Sequence, residues 1–461
     1  MPRHIRNLRW EVMRTIEGIL VPALACGALL ATPAHATDGY FAHGYGIIGK
    51  GMGGASTALA NDTFGGATNP AKMVFVGDRL DAGLELFSPR RNAGRSGSAV
   101  GIDGAADSDS NYFPIPEFGY NRMLGPNLAL GITVYGNGGM NTDYPGGQIP
   151  SGSACGPATG PGTGFNPAPG PYNLLCGNGP LGVDLMQLII APTLSYRLSP
   201  DHAIGIAPLL GYQRFRIEGA QAFAGFSTAP NNVSNRGYDS ATGVGVRIGW
   251  FGRLSDALTA GAAYSTRIRM SRFDDYRGLF AEQGDFDMPV NYNVGLAARI
   301  GPRTTLAIDY QRINYSDVPS VGNPSALLLE CAGGSAANCL GGSRGAGFGW
   351  KDVNVWKLGL EYRRTDRLTL RGGYNRTDNP IDPADVTINI LAPGVVQDHL
   401  TLGFTYRTAG GGEWSVAYMH AFENSVTGPS FFNNFTAPAS AGTETIGMYQ
   451  NALGVAYGVK L

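Results

Sequence analysis

The chain has 461 residues, of which 69 are glycine, 43% are hydrophobic, 10% aromatic and only 15% charged. Glycine is roughly twice its usual share, and the low charge is unlike that of an ordinary soluble enzyme. The net charge of −1 gives no basis for nucleic acid as a partner, and the hydrophobic share is too high for a disordered chain.

The N-terminus reads as an export signal. Arg3, Arg6, Arg9 and Arg14 precede the apolar run ILVPALACGALLATPA, and Ala34-His35-Ala36 fits a cleavage site. Removal of residues 1–36 is expected; a start at Met13 in place of Met1 gives a signal of more ordinary length. Pro22 and Gly27 interrupt the apolar run, which argues against a membrane anchor. Cys26 lies inside the signal, and the other cysteines form two close pairs, Cys155/Cys176 and Cys331/Cys339. An even count in an exported chain favours a disulfide within each pair over metal binding.

Residues 37–77 contain Gly49-x-Gly51-x-x-Gly54, the spacing of a dinucleotide-binding loop. No alternating strand precedes it and no βαβ unit surrounds it. The glycines suit compact backbone folding instead, and no cofactor is expected. GASTALAND allows one short helix. The segment is too small in side chain and too aperiodic to be barrel wall, and its length suits a plug.

From residue 78 the chain alternates at period two. Leu453, Val455, Tyr457, Val459 and Leu461 share one face, against Ala452, Gly454, Ala456, Gly458 and Lys460 on the other. Lipid demands the large apolar face, and a crowded lumen takes the small or polar one. Strands are expected over 79–88, 113–124, 128–139, 183–198, 202–218, 238–253, 257–270, 288–300, 303–315, 351–364, 367–377, 396–407, 412–422 and 446–461. The connections alternate between tight turns (GPN, SPD, SD, GPR, TD, AGGG) and long loops, of which 141–182 and 317–350 carry the cysteine pairs. This is the pattern of an all-β membrane protein, an antiparallel outer-membrane β-barrel of about fourteen strands spanning 78–461 with an N-terminal plug.

Gly136, Asn137, Gly138 and Gly139 interrupt the third strand, as a bend or as the strand's end. Phe223 and Phe226 in one long loop, and Phe273, Leu279, Phe280 and Phe286 in the next, are candidates for a hydrophobic ligand groove; packing of loop against loop is the alternative. Arg214 and Arg216 share the outward face of Ile206 and Leu210. Lipopolysaccharide phosphates are favoured over a ligand carboxylate as their partners. Arg247, Asp309, Lys357, Glu361 and Arg371 face inward and suit lumen ion pairs. Asp398 and His399 point to opposite faces, and the chain is not expected to be an enzyme.

The stretch GYFAHGYGIIGKGMGGASTALANDTFGGATNPAKM, followed by GDRLDAGL, resembles the N-terminal hatch of the FadL-type outer-membrane transporters. With the fourteen-strand count, the resemblance covers essentially the whole mature chain. It implies a monomeric plugged barrel of the bacterial outer membrane, taking up long-chain fatty acids or aromatic hydrocarbons passively. Asn69, Pro70 and Ala71 match its hatch motif, and the long loops carrying Phe223 to Phe286 match its external groove. It further implies lateral release to the outer leaflet at residues 136–139, with Asn69-Pro70-Ala71 the hatch segment nearest that gate. Where such chains commonly end in an aromatic residue, this one ends in Leu461. A structural or adhesive barrel without transport is the alternative.

Overall fold

The computed structural model describes residues 38–157, 159 and 164–461, so the expected signal segment lies outside the described residues. Fourteen long strands follow one another: β1 Arg79–Ser96, β2 Phe113–Gly125, β3 Leu128–Tyr144, β4 Leu181–Arg197, β5 His202–Glu218, β6 Asp239–Arg253 and β7 Leu258–Ser265. The second half holds β8 Asn291–Ile300, β9 Thr304–Ile313, β10 Val353–Arg363, β11 Leu368–Thr377, β12 Asp398–Arg407, β13 Glu413–Pro429 and β14 Thr443–Lys460. Each pairs antiparallel with its neighbours, and β14 closes on β1 from Arg79 opposite Lys460 to Ser96 opposite Thr443. The expected strand 257–270 is two pieces, β7 and a short ladder at Arg269–Met270 that pairs with β6. Among the described residues no helix is long and apolar enough to cross a membrane.

The period-two pattern sets the two faces. Leu84, Leu86, Val294, Leu296, Leu402 and Leu453 are exposed on the outer wall, while Asn121, Thr193, Gln187, Gln213 and Thr401 are buried in the lumen. About nine to eleven tilted residues cross a bilayer. With 17 or 18 residues each, β1, β3, β4, β5, β13 and β14 are longer than that, whereas β8 and β9 have 10. The wall therefore rises above the membrane on one side, and the long loops close over it. Two disulfides, Cys155–Cys176 and Cys331–Cys339, staple those loops.

Residues 38–77 fill the barrel. GASTALAND forms turns and not the expected helix, because the amides of Ser56 and Thr57 bond the Asp309 carboxylate of β9 at 2.9 Å instead of the preceding helical turn. The helical pieces are Ile47–Lys50, Phe64–Ala67 and Pro70–Phe75. The Lys50 ammonium meets Glu85 of β1 at 2.6 Å and Glu117 of β2 at 3.8 Å. Glu117 also accepts from the amides of Gly46 and Ile47. Arg247 donates to the Gly66 carbonyl, and Lys357 donates to the His43 carbonyl. The inward charges thus serve the plug, apart from Arg371 and Glu361, which pair with each other.

The triad around Lys50 is buried, so removing its single cation leaves two carboxylates uncompensated. Lys50→Met is expected to weaken the plug by about 3–5 kcal/mol. A rise in leakage of small polar solutes, with heat-modifiable gel migration kept, is the expected observation; an unchanged leak would show that the triad does not hold the hatch.

Candidate functional site

The wall is not uniformly paired. β1 and β2 pair from Arg79 opposite Asn121 to Phe87 opposite Phe113. β2 and β3 pair only from Gly125 opposite Leu128 to Phe118 opposite Val134. Beyond Val134, β3 continues to Tyr144 on β4 alone, with a bulge at Asn137 between Gly136 and Gly138. Pro114 and Pro116 stand on the β2 side of this break, where a residue without an N–H loses no ladder bond. Higher up the break is closed again: Arg91 donates to the Asn141 carbonyl at 2.7 Å, and the Asp109 amide donates to the Asp143 carbonyl at 2.8 Å. The interruption of residues 136–139 is therefore a bulge within a strand and not its end.

The backbone exposed by the break is bonded from inside. The Ala42 amide donates to the Asn137 carbonyl and the Gly139 amide donates to the Tyr40 carbonyl, both at 3.1 Å. Tyr45 donates to Asn137, and the Asn137 side chain donates to Gln187 at 2.9 Å. Gln187 donates to Gln213, which donates to the Phe286 carbonyl at 2.7 Å. The bulge is thus tied to the start of the hatch and, through two buried glutamines, to an external loop. No β-carbon fits at Gly138, since it would lie 1.6 Å from the Tyr40 carbonyl oxygen.

Residues 40–42, and not Asn69-Pro70-Ala71, are the hatch segment at the bulge. That motif is held on another part of the wall. Asn69 donates to the Trp250 carbonyl of β6 at 2.8 Å, and Ser195 of β4 donates to the Ala71 carbonyl at 2.7 Å. A β-carbon at Gly249 would lie 2.2 Å from Asn69, and one at Gly205 2.4 Å from Pro70. The motif sits in a glycine socket, with the Asn69 side chain against Gly249 and the Pro70–Ala71 backbone against Gly205.

The candidate groove residues separate. Phe223, Leu279 and Phe280 line one narrow apolar pocket with Phe215, Phe348 and Leu391. Phe273 and Phe286 are buried behind it, at 5.8 and 4.8 Å from Phe280. From Phe286 the rings continue inward to Tyr40 at 6.3 Å and from Tyr40 to Phe41 at 5.4 Å, beside the bulge. Tyr40 also lines a second pocket with Phe87, Met140, Trp350 and Met448. Phe226 turns away toward Phe431 and Phe435. Tyr40, Phe41, Tyr315 and Trp350 were not singled out in the sequence: Tyr40 and Phe41 lie in a segment with no period, Tyr315 at the end of an expected strand and Trp350 at the end of a long loop. Burial and then neighbouring Asp287 push the Asp285 carboxyl, in the loop beside Phe286, up to about 7.

Residues 177–430 match the family model described as outer membrane protein transport protein (OMPP1/FadL/TodX). The chain belongs to this family of outer-membrane channels for hydrophobic compounds. No curated protein sequence matches it. Among solved structures, the chain is similar to the Pseudomonas putida toluene transporter TodX, with 19% identity over 91% of this chain and 99% of that one and a TM-score of 0.62. The Ralstonia pickettii toluene transporter TbuX gives 17%, 91%, 99% and 0.58, and a Pseudomonas aeruginosa FadL homologue gives 14%, 92%, 99% and 0.63. These likenesses carry the fold of the FadL/TodX barrels.

Two outcomes test this geometry. Gly138→Val is expected to dislodge residues 40–42 before it can fill the break, seen as faster amide exchange at Phe41 and Ala42 in a barrel that still folds; unchanged protection would refute the contact. Asp285 has a folded pKa raised above its unfolded value, so its contribution to loop stability is present at low pH and lost as pH rises through about 7. After correction for intrinsic rates, exchange in residues 280–287 is expected to be faster at pH 8 than at pH 5.5, and Asp285→Asn should remove the difference.

Proposed function

We propose that this barrel passes hydrophobic small molecules sideways into the outer leaflet through the break between β2 and β3. The observation that carries the reading is the ladder that stops at Phe118 and Val134 and is capped from within by residues 40–42. On this reading residues 1–36 are removed on export, 37–77 are the hatch and 78–461 the barrel. Cargo enters the apolar pocket around Phe280, passes Phe286, and reaches the space beside Tyr40, Met140 and Trp350. A shift of residues 40–42 off Gly138 then opens the bulge to the lipid. Cargo leaves below the lipopolysaccharide headgroups, driven by its own gradient. Asn69-Pro70-Ala71 stays fixed and acts as the hinge post of the hatch.

The pockets are narrow, so cargo enters by displacing phenylalanine and methionine side chains. Such plastic apolar walls suit fatty acids and aromatic hydrocarbons alike; the solved relatives TodX and TbuX are toluene transporters. The barrel works as a monomer. Arg214 and Arg216 stack on Tyr238 at 4.2 and 4.9 Å, above outward-facing Leu210 and Val244, and we assign them to lipopolysaccharide phosphates.

Uptake of labelled toluene and oleate by cells with and without the protein tests the function. Faster uptake of at least one with the protein present is expected. Equal uptake of both would leave a structural or adhesive barrel as the better account.

A further inference from the structure

The end of the barrel with the tight turns, which in an outer-membrane barrel faces the periplasm, carries a charge pattern of its own. β4, β6, β10 and β12 end in Arg197, Arg253, Arg363 and Arg407, and β8 carries Arg299 as its last residue but one. Alternation turns all five inward, since each lies two residues beyond a lumen-facing side chain: Ser195, Phe251, Ala297, Glu361 and Thr405. Two of them serve the hatch. Arg197 donates to the Val74 carbonyl at 2.9 Å, and Arg197 and Arg253 each stand 4.8 Å from the centroid of the Phe75 ring.

Between the hatch and β10–β14 the same mouth opens into a polar cavity of about 530 Å³, against about 30 Å³ for each of the pockets beside Phe280 and Tyr40. The hatch closes it on the inner side at Ala60, Asn61, Phe75 and Val76. Six cationic side chains line it against three carboxylates. Half of the cations are neutralised in place. Arg79 meets Asp81 and Glu413, both at 2.8 Å, Arg407 meets Glu413 at 2.7 Å, and Arg371 meets Glu361 at 2.8 Å. Among the described residues Arg363, Arg367 and Lys460 form no ion pair, and Asp366 is the one lining carboxylate left to offset them.

We infer that this cup is a binding site for a soluble multivalent oxyanion of the phosphate type, held by Arg363, Arg367 and Lys460. The inference needs the barrel and its plug, and not the passage of hydrophobic cargo.

Three observations support it. First, the surplus charge is inside the wall. Lipid phosphates lie on the other side of the strands, so the partner must come from the water of the periplasm. Second, the cup is blind. The hatch blocks its inner end, so an anion drawn in is retained and not conducted. Third, its volume is that of a small-molecule site, and two guanidinium forks beside an ammonium suit the oxygens of a phosphate group. The inward arginine of β8 adds to the field at the same rim, and a cleft with low-dielectric walls concentrates anions of the opposite sign.

The test titrates full-length protein in a phospholipid-free detergent with inorganic pyrophosphate, by calorimetry. Saturable binding at one site per chain is expected. In parallel, pyrophosphate should slow amide exchange at Asn61 and Val76, which close the cup. Arg363→Gln/Arg367→Gln should weaken binding about tenfold or more, through loss of two charge-assisted contacts, with heat-modifiable gel migration kept. Arg364→Gln removes the same charge from the same turn but at a residue that does not line the cup, and should change the affinity by less than about twofold. Absence of saturable binding, undiminished binding by the double variant, an equal loss in Arg364→Gln or binding without protection of the hatch residues would each overturn the site. Displacement of pyrophosphate by an equal concentration of dihexanoylphosphatidylglycerol would overturn the soluble source and give the cup to a lipid headgroup phosphate.

Discussion

Everything in this molecule follows from the need to satisfy backbone hydrogen bonds in a medium without water. Each unpaired N–H or C=O facing hydrocarbon costs several kcal/mol. Closing fourteen strands on themselves meets that demand around almost the whole wall. Pairing also lapses between β4 and β5 at residues 191–193, but the break that the plug meets is the short stretch above Val134, where β3 leaves β2. It is tolerated because its groups are bonded from the lumen, by the amide of Ala42, the carbonyl of Tyr40 and the hydroxyl of Tyr45. A break in the ladder and a plug are thus one device: the wall can be broken only where something inside completes it.

The plug is accordingly fixed by charge and close fit at several points and more lightly held at residues 40–42. Its middle and end are tied by charge and by close fit: Lys50 to two carboxylates, Asp309 to two amides, Asn69 to a strand carbonyl, and the glycine socket around Pro70. Its first residues are tied by backbone bonds to the bulge, by Tyr315, whose hydroxyl accepts from the amides of Tyr40 and Phe41, and by the buried pair of Asp38 with Lys357 at 3.6 Å. An amide bond exchanged for another costs little, whereas a buried ion pair cannot be broken without leaving a charge behind. Residues 40–42, between that pair and Lys50, are held at the break by exchangeable backbone bonds, and they are the ones that the aromatic rings approach from outside.

The sequence was most legible where one face meets lipid. Alternation placed all fourteen strands, because a one-residue slip would bury the wrong face of each. It was least exact at the upper ends: β1 runs on to Ser96 and β13 to Pro429, where the wall leaves the bilayer and the outward residues turn polar, so the pattern fades while the pairing does not. Glycine density marked the bulge correctly, since close approach of two backbones leaves a direct trace in composition. What reaches the bulge left none. Residues 40–42 lie in a segment with no period, and the partner of Gly138 is a main-chain carbonyl that any residue supplies.

The loop phenylalanines show the same limit from the other side. Apolar residues in water-facing loops announce that they are covered by something, and the sequence does not say whether by ligand or by each other. Here both occur. Phe273 and Phe286 are packed into the interior of the loop cap, while Phe226 packs against a loop more than two hundred residues away in the chain. The long upper strands of β5 and β13 bring those loops to the same height and the same rim. Where these loops meet at the rim is therefore fixed by strand length, a property of the wall, and only secondarily by the aromatic residues that line it. The short β7, β8 and β9 have the opposite effect: the loops they carry must fold inward over the lumen to be covered, which buries their aromatic side chains and makes them the ceiling of the pocket.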